Sequence, residues 1–276
     1  SSDVCSSDLA THINVGKSLV VDTCGTGGDA KCTFNISTCA AFVVAGAGLK
    51  VAKHGNKASS SKCGSADVLK LLGVNIDANT KVVEECIQKA NIGFLMAPLL
   101  HSSMKHAVGP RREIGIKTIF NILGPLTNPA RATRQVIGVY DAKLTDVVAK
   151  VLKKLNTEHA FVVYGYDGMD EITTTDKTKV CELKDGEIKS YFITHDSFGI
   201  KKAEMKDFMV NSPEESASAI SAVLDGAGGP KRDIVLLNAS AIVAGGGVEN
   251  LKDGVRLAAE SIDSGKAKAS LEKLIE

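Results

Sequence analysis

Short apolar runs alternate with helix-like segments along most of this chain, which is typical of strands followed by helices. The apolar runs that have the length of buried strands span residues 19–21, 50–52, 92–96, 136–140 and 160–164. The helix-like segments span residues 37–45, 65–72, 80–90, 145–155, 213–224, 233–243 and 251–265. This alternation predicts an α/β fold with a largely parallel central sheet flanked by helices.

Two stretches depart from this alternation. Residues 172–193 are β-rich around the turn at 184–187, which predicts an antiparallel edge of the sheet. Residues 98–124 look helical and basic and lead into a Pro-rich turn at 124–129. Ser65 and Thr80 are the expected N-cap residues of the helices that begin there.

The first nine residues nearly repeat a Ser-Ser-Asp motif and have neither helical nor strand periodicity. We interpret residues 1–9 as a non-native scar. We expect residues 10–276 to form one α/β domain, which is long enough to bury a sizeable core.

The charge balance argues against a global electrostatic role. Lys and Arg total 33 against 32 Asp and Glu, so the net charge of +1 gives no general attraction to nucleic acid or to an anionic membrane. Any anion site must therefore be local. The 7 cysteines are scattered without a Cys-x-x-Cys pair, which indicates reduced thiols in a cytoplasmic protein.

A glycine-rich loop follows the first predicted strand. The segment Asp22–Asp29 reads Asp-Thr-Cys-Gly-Thr-Gly-Gly-Asp, and its glycines allow a tight turn and a close approach to an anion. Gly25-x-Gly27-x-x-Ala30 formally fits the dinucleotide fingerprint, but that motif needs an acidic residue about 20 positions later for the ribose, and none occurs between Asp29 and Asp67. It does not match a Walker A motif either, because Ala30-Lys31-Cys32 replaces Gly-Lys-Ser/Thr.

The stretch after this loop carries positive charge without a compensating carboxylate. Its lysines are Lys31, Lys50, Lys53, Lys57 and Lys62. Polar side chains at the next helix start, Asn35, Ser37 and Thr38, and the loop Lys53–Asn56 are expected at the carboxyl edge of the sheet, where open α/β sheets bind ligands. This indicates a site for a highly charged anion such as diphosphate.

Adjacent carboxylates, Asp170 and Glu171, follow the predicted strand at 160–164. Such a pair can bind Mg²⁺ through one or two oxygens while substrate phosphates and water fill the other positions. An acidic turn alone is more typical of a solvated surface. Beside a diphosphate site the Mg²⁺ hypothesis is favoured, because a diphosphate leaving group needs its charge neutralised.

A basic stretch is the third candidate. It contains His101, Lys105, His106, Arg111 and Arg112. The pattern is equally consistent with a solvated helix face and with one arginine that faces the pocket. In the second case the guanidinium could bind a carboxylate in bidentate fashion.

These motifs together resemble the anthranilate phosphoribosyltransferase family, and the similarity runs from about Val21 to the C-terminus. The matching segments are 25–29, 35–38, 53–56, 64–67, 111–115, 121–129 and 170–171. The resemblance implies transfer of phosphoribose from phosphoribosyl pyrophosphate (PRPP) to the amine of anthranilate, with Mg²⁺ as cofactor and diphosphate released. It also implies a place in tryptophan biosynthesis.

The resemblance further implies roles for individual residues. PRPP would be bound by Gly25, Gly28, Asp29, Thr33, Asn35, Ser37, Thr38, Lys53 and Ser65. Anthranilate would be bound by Gly25, His54, Asn56 and Arg111, with Arg111 on its carboxylate. Mg²⁺ would be held by Ser37, Asp170 and Glu171. No residue is assigned as acid or base, because an arylamine is already a neutral nucleophile at pH 7 and orientation and charge stabilisation suffice.

Family members usually begin with several helices ahead of the glycine-rich strand. These helices build much of the helical subdomain and of the homodimer interface. Only residues 10–18 precede the strand here, so the resemblance implies a small, incomplete helical subdomain, with its segment at about 98–124, and an incomplete dimer interface. We expect the pocket motifs to remain intact.

Other functions remain open at this stage. A pyrimidine nucleoside phosphorylase shares the general architecture, but its expected Lys-x-Ser-Gly signature is absent from the glycine-rich loop. A non-catalytic, nucleic-acid-binding relative should be strongly basic, and the net charge of +1 disfavours it. A fragment that binds PRPP without turnover is a further alternative.

Overall fold

A computed structural model describes residues 10–29, 31–57, 63–101, 113, 118–246 and 248–276. Its strands form one seven-stranded sheet in the order β3-β2-β1-β4-β5-β6-β7. The strands are β1 Val20–Gly25, β2 Lys50–Gly55, β3 Ile92–Met96, β4 Arg134–Gly138, β5 His159–Gly165, β6 Thr178–Lys184 and β7 Glu187–Ile193. Neighbours from β3 to β5 pair in parallel, whereas β6 and β7 pair antiparallel. The predicted α/β class and the antiparallel edge are therefore confirmed.

The helices of the described residues flank this sheet. They are α1 Ile36–Gly46, α2 Ser65–Leu71, α3 Thr80–Lys89, α4 Ala97–Leu100, α5 Phe120–Leu126, α6 Leu144–Lys154, α7 Pro213–Leu224, α8 Pro230–Gly246, α9 Leu251–Asp263 and α10 Lys266–Ile275. The last helix, α10, was not predicted as a separate element. Gly265 has a φ of +73° at its start, and this left-handed residue separates α10 from α9.

Helix α1 lies at the centre of the main core. Its residues from Cys39 to Ala45 are fully buried beneath α8 and α10 and against the sheet. A helix that is apolar on all sides is expected to be buried in this way. The buried Ser261 of α9 donates a hydrogen bond to the Val43 carbonyl at 2.7 Å. A second core cluster lies on the other face of the sheet, under α6. The N-terminus of α1 is thereby fixed at the carboxyl edge of the sheet.

Both predicted N-caps are wrong by one residue. Gly64 precedes α2, and its N–H donates to the Asp67 carboxylate at 3.0 Å, while Ser65 is the first helical residue. Asn79 caps α3, because its side-chain oxygen accepts a first-turn N–H at 3.1 Å. An Asn directly before a Thr is the stronger cap of the two.

The predicted helical subdomain, 98–124, lies largely outside the described residues, which exclude 102–112 and 114–117. It stays a prediction. At its end, α5 continues through Gly124 and Pro125, so the expected Pro-rich turn begins later than predicted. Pro125 is tolerated because it forfeits only one donor in a short helix.

No helix in the described part of the chain is long and apolar enough to cross a membrane. The cysteines that the structure describes are thiols rather than disulfides. Cys5 falls among residues 1–9, outside the described residues.

Candidate active site

A cavity of about 470 Å³ opens at the carboxyl ends of the parallel strands. Its lining includes the ends of β1 and β2, beside the point between β1 and β4 where the strand order reverses and open α/β sheets bind their ligands. The residues expected at the site that line it are Gly25, Gly28, Asp29, Thr33, Asn35, Ser37, Lys53, His54, Asn56, Ser65, Asp170 and Glu171. Thr38 is fully buried in the first turn of α1 and is not part of the lining. Arg111 lies outside the described residues, so its expected role stays a prediction.

The acidic turn touches the glycine-rich loop. The Gly27 N–H donates to Asp170 Oδ2 at 2.9 Å. A Cβ atom on Gly25 would overlap the Asp170 carboxylate, and one on Gly138, at the end of β4, would overlap the Asp170 carbonyl oxygen. Glycine is required at both strand ends because the turn folds directly across them. The two motifs, 143 residues apart, therefore form one site.

Buried hydrogen bonds hold the acidic turn in place. The Asp167 carboxylate accepts hydrogen bonds from the Thr173 and Thr175 hydroxyls and from the Met169 N–H. The Asn238 side chain of α8 makes two hydrogen bonds to the backbone of Ile172. Its Oδ1 accepts the Ile172 N–H and its Nδ2 donates to the Ile172 carbonyl, both at 2.9 Å. Polar contacts of this kind limit the positions that the adjacent carboxylates can adopt.

Burial and mutual repulsion raise the pKa values of these carboxylates. Burial, followed by the charge of Asp29, raises the pKa of Asp170 to about 7. Burial and the charge of Asp170 also raise the pKa of Glu171 well above its usual range, although Lys53 opposes this shift. A bound divalent cation would offset both the cost of burying these charges and the repulsion between the carboxylates.

The donor set fits Mg²⁺. Within the described residues no group of three His, Cys, Asp or Glu side chains forms a complete metal cluster. Mg²⁺ rarely needs one, because it binds through one or two carboxylates and keeps positions for substrate phosphates and water. Asp170 and Glu171 at the wall of a roomy polar cavity meet this requirement.

A buried polar network ties the ends of β1 and β2 together beneath the cavity. Asp22 accepts the His54 backbone N–H at 3.2 Å and the Asn128 side-chain amide at 2.7 Å. Lys53 donates to the Thr23 carbonyl at 2.8 Å, and burial lowers its pKa. The sequence contains Asp22 and Asn128 inside motifs, but both resemble ordinary turn residues there. Only their burial identifies them as supports of the site.

The prediction that Lys50 belongs to the positively charged site is wrong. Lys50 is the first residue of β2, so it lies at the amino edge, where it donates to the Ser18 hydroxyl at 2.8 Å and to Gln88. Lys31 reaches towards Gly168 of the acidic turn, and Lys57 lines the cavity. The positive charge is thus divided between the two edges of the sheet. Lys62 lies outside the described residues.

Two histidines meet at the cavity wall. The rings of His54 and His101 have centroids 5.1 Å apart, and both residues are buried, so the solvated-face interpretation is wrong for His101. His54 Nδ1 lies 3.2 Å from the Gly124 carbonyl, which assigns the proton of the neutral ring to Nδ1. Neither Nε2 atom has a partner among the described residues. Burial lowers the pKa of each ring to about 4, so both are neutral at pH 7.

The buried His54 makes the protein sensitive to acid. Its folded-state pKa of about 4 lies below the ordinary 6.5, so unfolding takes up a proton as the pH falls from 6.5 towards 4. We expect a loss of about 2 kcal/mol in the free energy of unfolding at pH 5 from this group. Urea denaturation at pH 7 and pH 5 would show a smaller difference in a His54→Gln variant. An equal difference in both proteins would contradict this assignment.

The segment that contains Phe208 and Val210 also reaches the cavity. The Phe34 N–H donates to the Phe208 carbonyl and the Val210 N–H to the Cys32 carbonyl, both at 2.9 Å. These bonds place Val210 in the lining beside the glycine-rich loop. Pro98 of α4 and Phe120 of α5 add apolar surface, and Asn121 of α5 adds a polar side chain. Val210 could not be identified from the sequence, because packing alone brings it to the cavity.

The family profile described as "Glycosyl transferase family, a/b domain" matches residues 17–268, which places the chain in this class of glycosyltransferases. An anthranilate phosphoribosyltransferase from Acetivibrio thermocellus is 54% identical over 257 residues, which are 93% of this chain and 74% of that protein. The chain belongs to the anthranilate phosphoribosyltransferase family.

Solved structures agree with this assignment. The crystal structure of anthranilate phosphoribosyltransferase from Thermus thermophilus matches with a TM-score of 0.91 and 39% identity, over 98% of this chain and 80% of that one. The Saccharomyces cerevisiae enzyme in complex with PRPP and Mg matches with a TM-score of 0.90 and 33% identity, over 98% and 76% of the two chains. The comparisons thus favour this family over the phosphorylase and nucleic-acid-binding alternatives.

Proposed function

We propose that this chain transfers the phosphoribosyl group of PRPP to the amine of anthranilate, giving N-(5-phosphoribosyl)anthranilate and diphosphate. The observation that carries the proposal is the hydrogen bond from Gly27 to Asp170, which brings an anion-binding loop and a carboxylate pair into one cavity. The yeast relative solved with PRPP and Mg supports the same pairing of substrate and ion.

PRPP is proposed to lie with its diphosphate between the glycine-rich loop and the start of α1. Gly28 has a φ of +79°, which lets the backbone N–H groups of the loop approach an anion closely. The N-terminus of α1 adds the positive end of a helix dipole. Thr33, Asn35 and Ser65 contribute polar side chains at the rim. Thr38, in the first turn of α1, is fully buried and would support the site from within the helix.

The reaction breaks the bond between the anomeric carbon and the diphosphate oxygen. The electron pair leaves with diphosphate and an oxocarbenium-like carbon remains, as in glycoside hydrolysis. The residues proposed to hold Mg²⁺ are Ser37, Asp170 and Glu171, and the ion, when bound, supplies neutralising charge to the leaving group. Preorganised donors and charges of this kind lower the barrier without any proton transfer to diphosphate.

Anthranilate is proposed to enter beside the histidine pair, near Asn56, with its amine directed at the anomeric carbon. The nitrogen lone pair forms the new C–N bond, and the amine proton passes to solvent. A neutral His54 imidazole with a pKa of about 4 accepts a hydrogen bond but is too weak a base to remove a proton from the free amine. Orientation therefore contributes more than acid–base catalysis.

The resemblance assigns Arg111 to the anthranilate carboxylate, and an Arg111→Ala variant tests this. We expect the KM for anthranilate to rise at least tenfold and the KM for PRPP to change little, because a bidentate charged pair contributes about 1.5–3 kcal/mol. Steady-state kinetics with each substrate varied in turn would measure both. Equal losses in both constants would count against the assignment.

The proposed activity is tested by following anthranilate fluorescence with PRPP and Mg²⁺. We expect the signal to fall only when both are present. The same assay is run on a chain that carries the N-terminal helices of a relative. If neither chain consumes anthranilate, the proposed reaction is wrong.

On the same grounds we propose that the enzyme acts in tryptophan biosynthesis and in the cytoplasm, and that the homodimer of the family depends on the N-terminal helices expected to complete its interface. The thiol state of the described cysteines is in keeping with a reducing compartment. Residues 10–276 are proposed to form its single α/β phosphoribosyltransferase domain. Light scattering of the purified chain would test the dimer.

A further inference from the structure

Asn35 occupies the N-cap position of α1 but does not cap the helix. An Asn at this position normally accepts a hydrogen bond from an N–H of the first turn. Here the side chain makes no such bond. Its Oδ1 instead accepts hydrogen bonds from the Ser216 hydroxyl at 2.9 Å and from the Cys63 thiol at 3.1 Å. The amide is therefore turned away from its own helix.

Ser216 holds Asn35 at two points. This residue of α7 is fully buried, and its hydroxyl also accepts the Asn35 backbone N–H at 3.0 Å. A hydroxyl has one donor and two acceptor sites, so a single Ser216 oxygen can fix both the backbone and the side chain of Asn35. The two residues are 181 positions apart in sequence.

Two consequences follow at the cavity. Because Oδ1 is occupied by two donors, the orientation of the amide is fixed. Among the described residues its other bond is a long one of 3.5 Å from Nδ2 to the Cys63 carbonyl. A capping Asn would have bonded to a first-turn N–H of α1; here the Ser37 N–H donates to the Glu171 carboxylate instead. The buried Thr38 hydroxyl in that turn has no partner among the described residues.

We propose that Ser216 is a positioning residue for PRPP: it holds the Asn35 amide away from the first turn of α1, so that the amide N–H remains available to the diphosphate. The inference rests on the proposed function. Ser216 itself does not line the cavity and acts only through Asn35.

The test is a double-mutant cycle with Ser216→Ala and Asn35→Ala. We expect each single change to raise the KM for PRPP about tenfold, since a hydrogen bond to a charged group contributes about 1.5–3 kcal/mol, and to leave the KM for anthranilate unchanged. The double variant should be no worse than Asn35→Ala alone. Titration calorimetry with inorganic diphosphate provides a second readout that does not depend on turnover.

The controls separate positioning from stability. Ser218→Ala, on the exposed side of α7, should behave like the unchanged protein, and Ser216→Thr, which keeps the hydroxyl, should recover most of the PRPP affinity. If Ser216→Ala does not fold, Cys63→Ala removes the other donor to the same oxygen and should couple to Asn35→Ala in the same way.

The outcomes distinguish this inference from the proposed function. Additive losses in the cycle, or equal changes in both KM values, would overturn the role of Ser216 alone. An unchanged KM for PRPP in Asn35→Ala would overturn it as well, by removing Asn35 from the PRPP site. If the unsubstituted protein shows no PRPP-dependent turnover, the proposed function itself is wrong.

Discussion

A Gly138→Ala substitution is expected to lower kcat/KM by a factor on the order of 10². The added methyl group would overlap the Asp170 carbonyl oxygen, which is main chain and cannot rotate away. The acidic turn must therefore move as a unit, and its carboxylates move with it. Displacements near 1 Å at a catalytic site are enough for a loss of this size. Steady-state kinetics at saturating Mg²⁺ would measure it.

Gly228→Ala is the matched control. A Cβ at this exposed glycine meets no atom within 4 Å, and we expect wild-type kinetics. Thermal unfolding of both variants separates a shifted turn from a general loss of stability. If Gly138→Ala retains full activity, the acidic turn does not need its observed position for catalysis.

Replacing Asp170 with Asn and Glu171 with Gln together is expected to abolish the response to Mg²⁺ and to lower kcat by a factor on the order of 10²–10³. The amides keep the size of the side chains but lose the charge that would bind the ion. Activity and calorimetric titrations with Mg²⁺ would measure the loss. Asp185→Asn is the control, because Asp185 lies in the β6–β7 turn with a φ of +50°, a conformation that Asn accepts readily. An unchanged Mg²⁺ titration in the double variant would remove the pair from the site.

The same double variant should be more stable than the unchanged protein at alkaline pH without metal. The folded-state pKa of Asp170 is about 7 against an ordinary 3.8, so its stabilising contribution is present at low pH and lost as the pH rises through 7. We expect the metal-free protein to lose about 1 kcal/mol between pH 6.5 and pH 8.5 from this group. Mg²⁺ should restore the stability at pH 8.5, and the double variant should show neither effect.

Much of the fold could be predicted because hydrophobic periodicity is a local property. The run 92–96 became β3 with the predicted ends, and the β-rich stretch around residue 185 became the antiparallel edge. The errors at Ser65 and Thr80 are of another kind. Neighbouring residues compete for a cap, and the choice depends on backbone geometry at single positions.

The sequence by itself determined the class of fold, the family and most of the residues that line the cavity, because glycine-rich loops, strand ends and paired carboxylates are recognised from local order. Tertiary structure alone decided which of these residues meet. In the folded protein Asp170 lies against the ends of β1 and β4, and Ser216 contacts Asn35. Lys50 lies at the opposite edge of the sheet. Such contacts join positions up to 181 residues apart, and they arise from the packing of whole elements, for which local composition contains no signal.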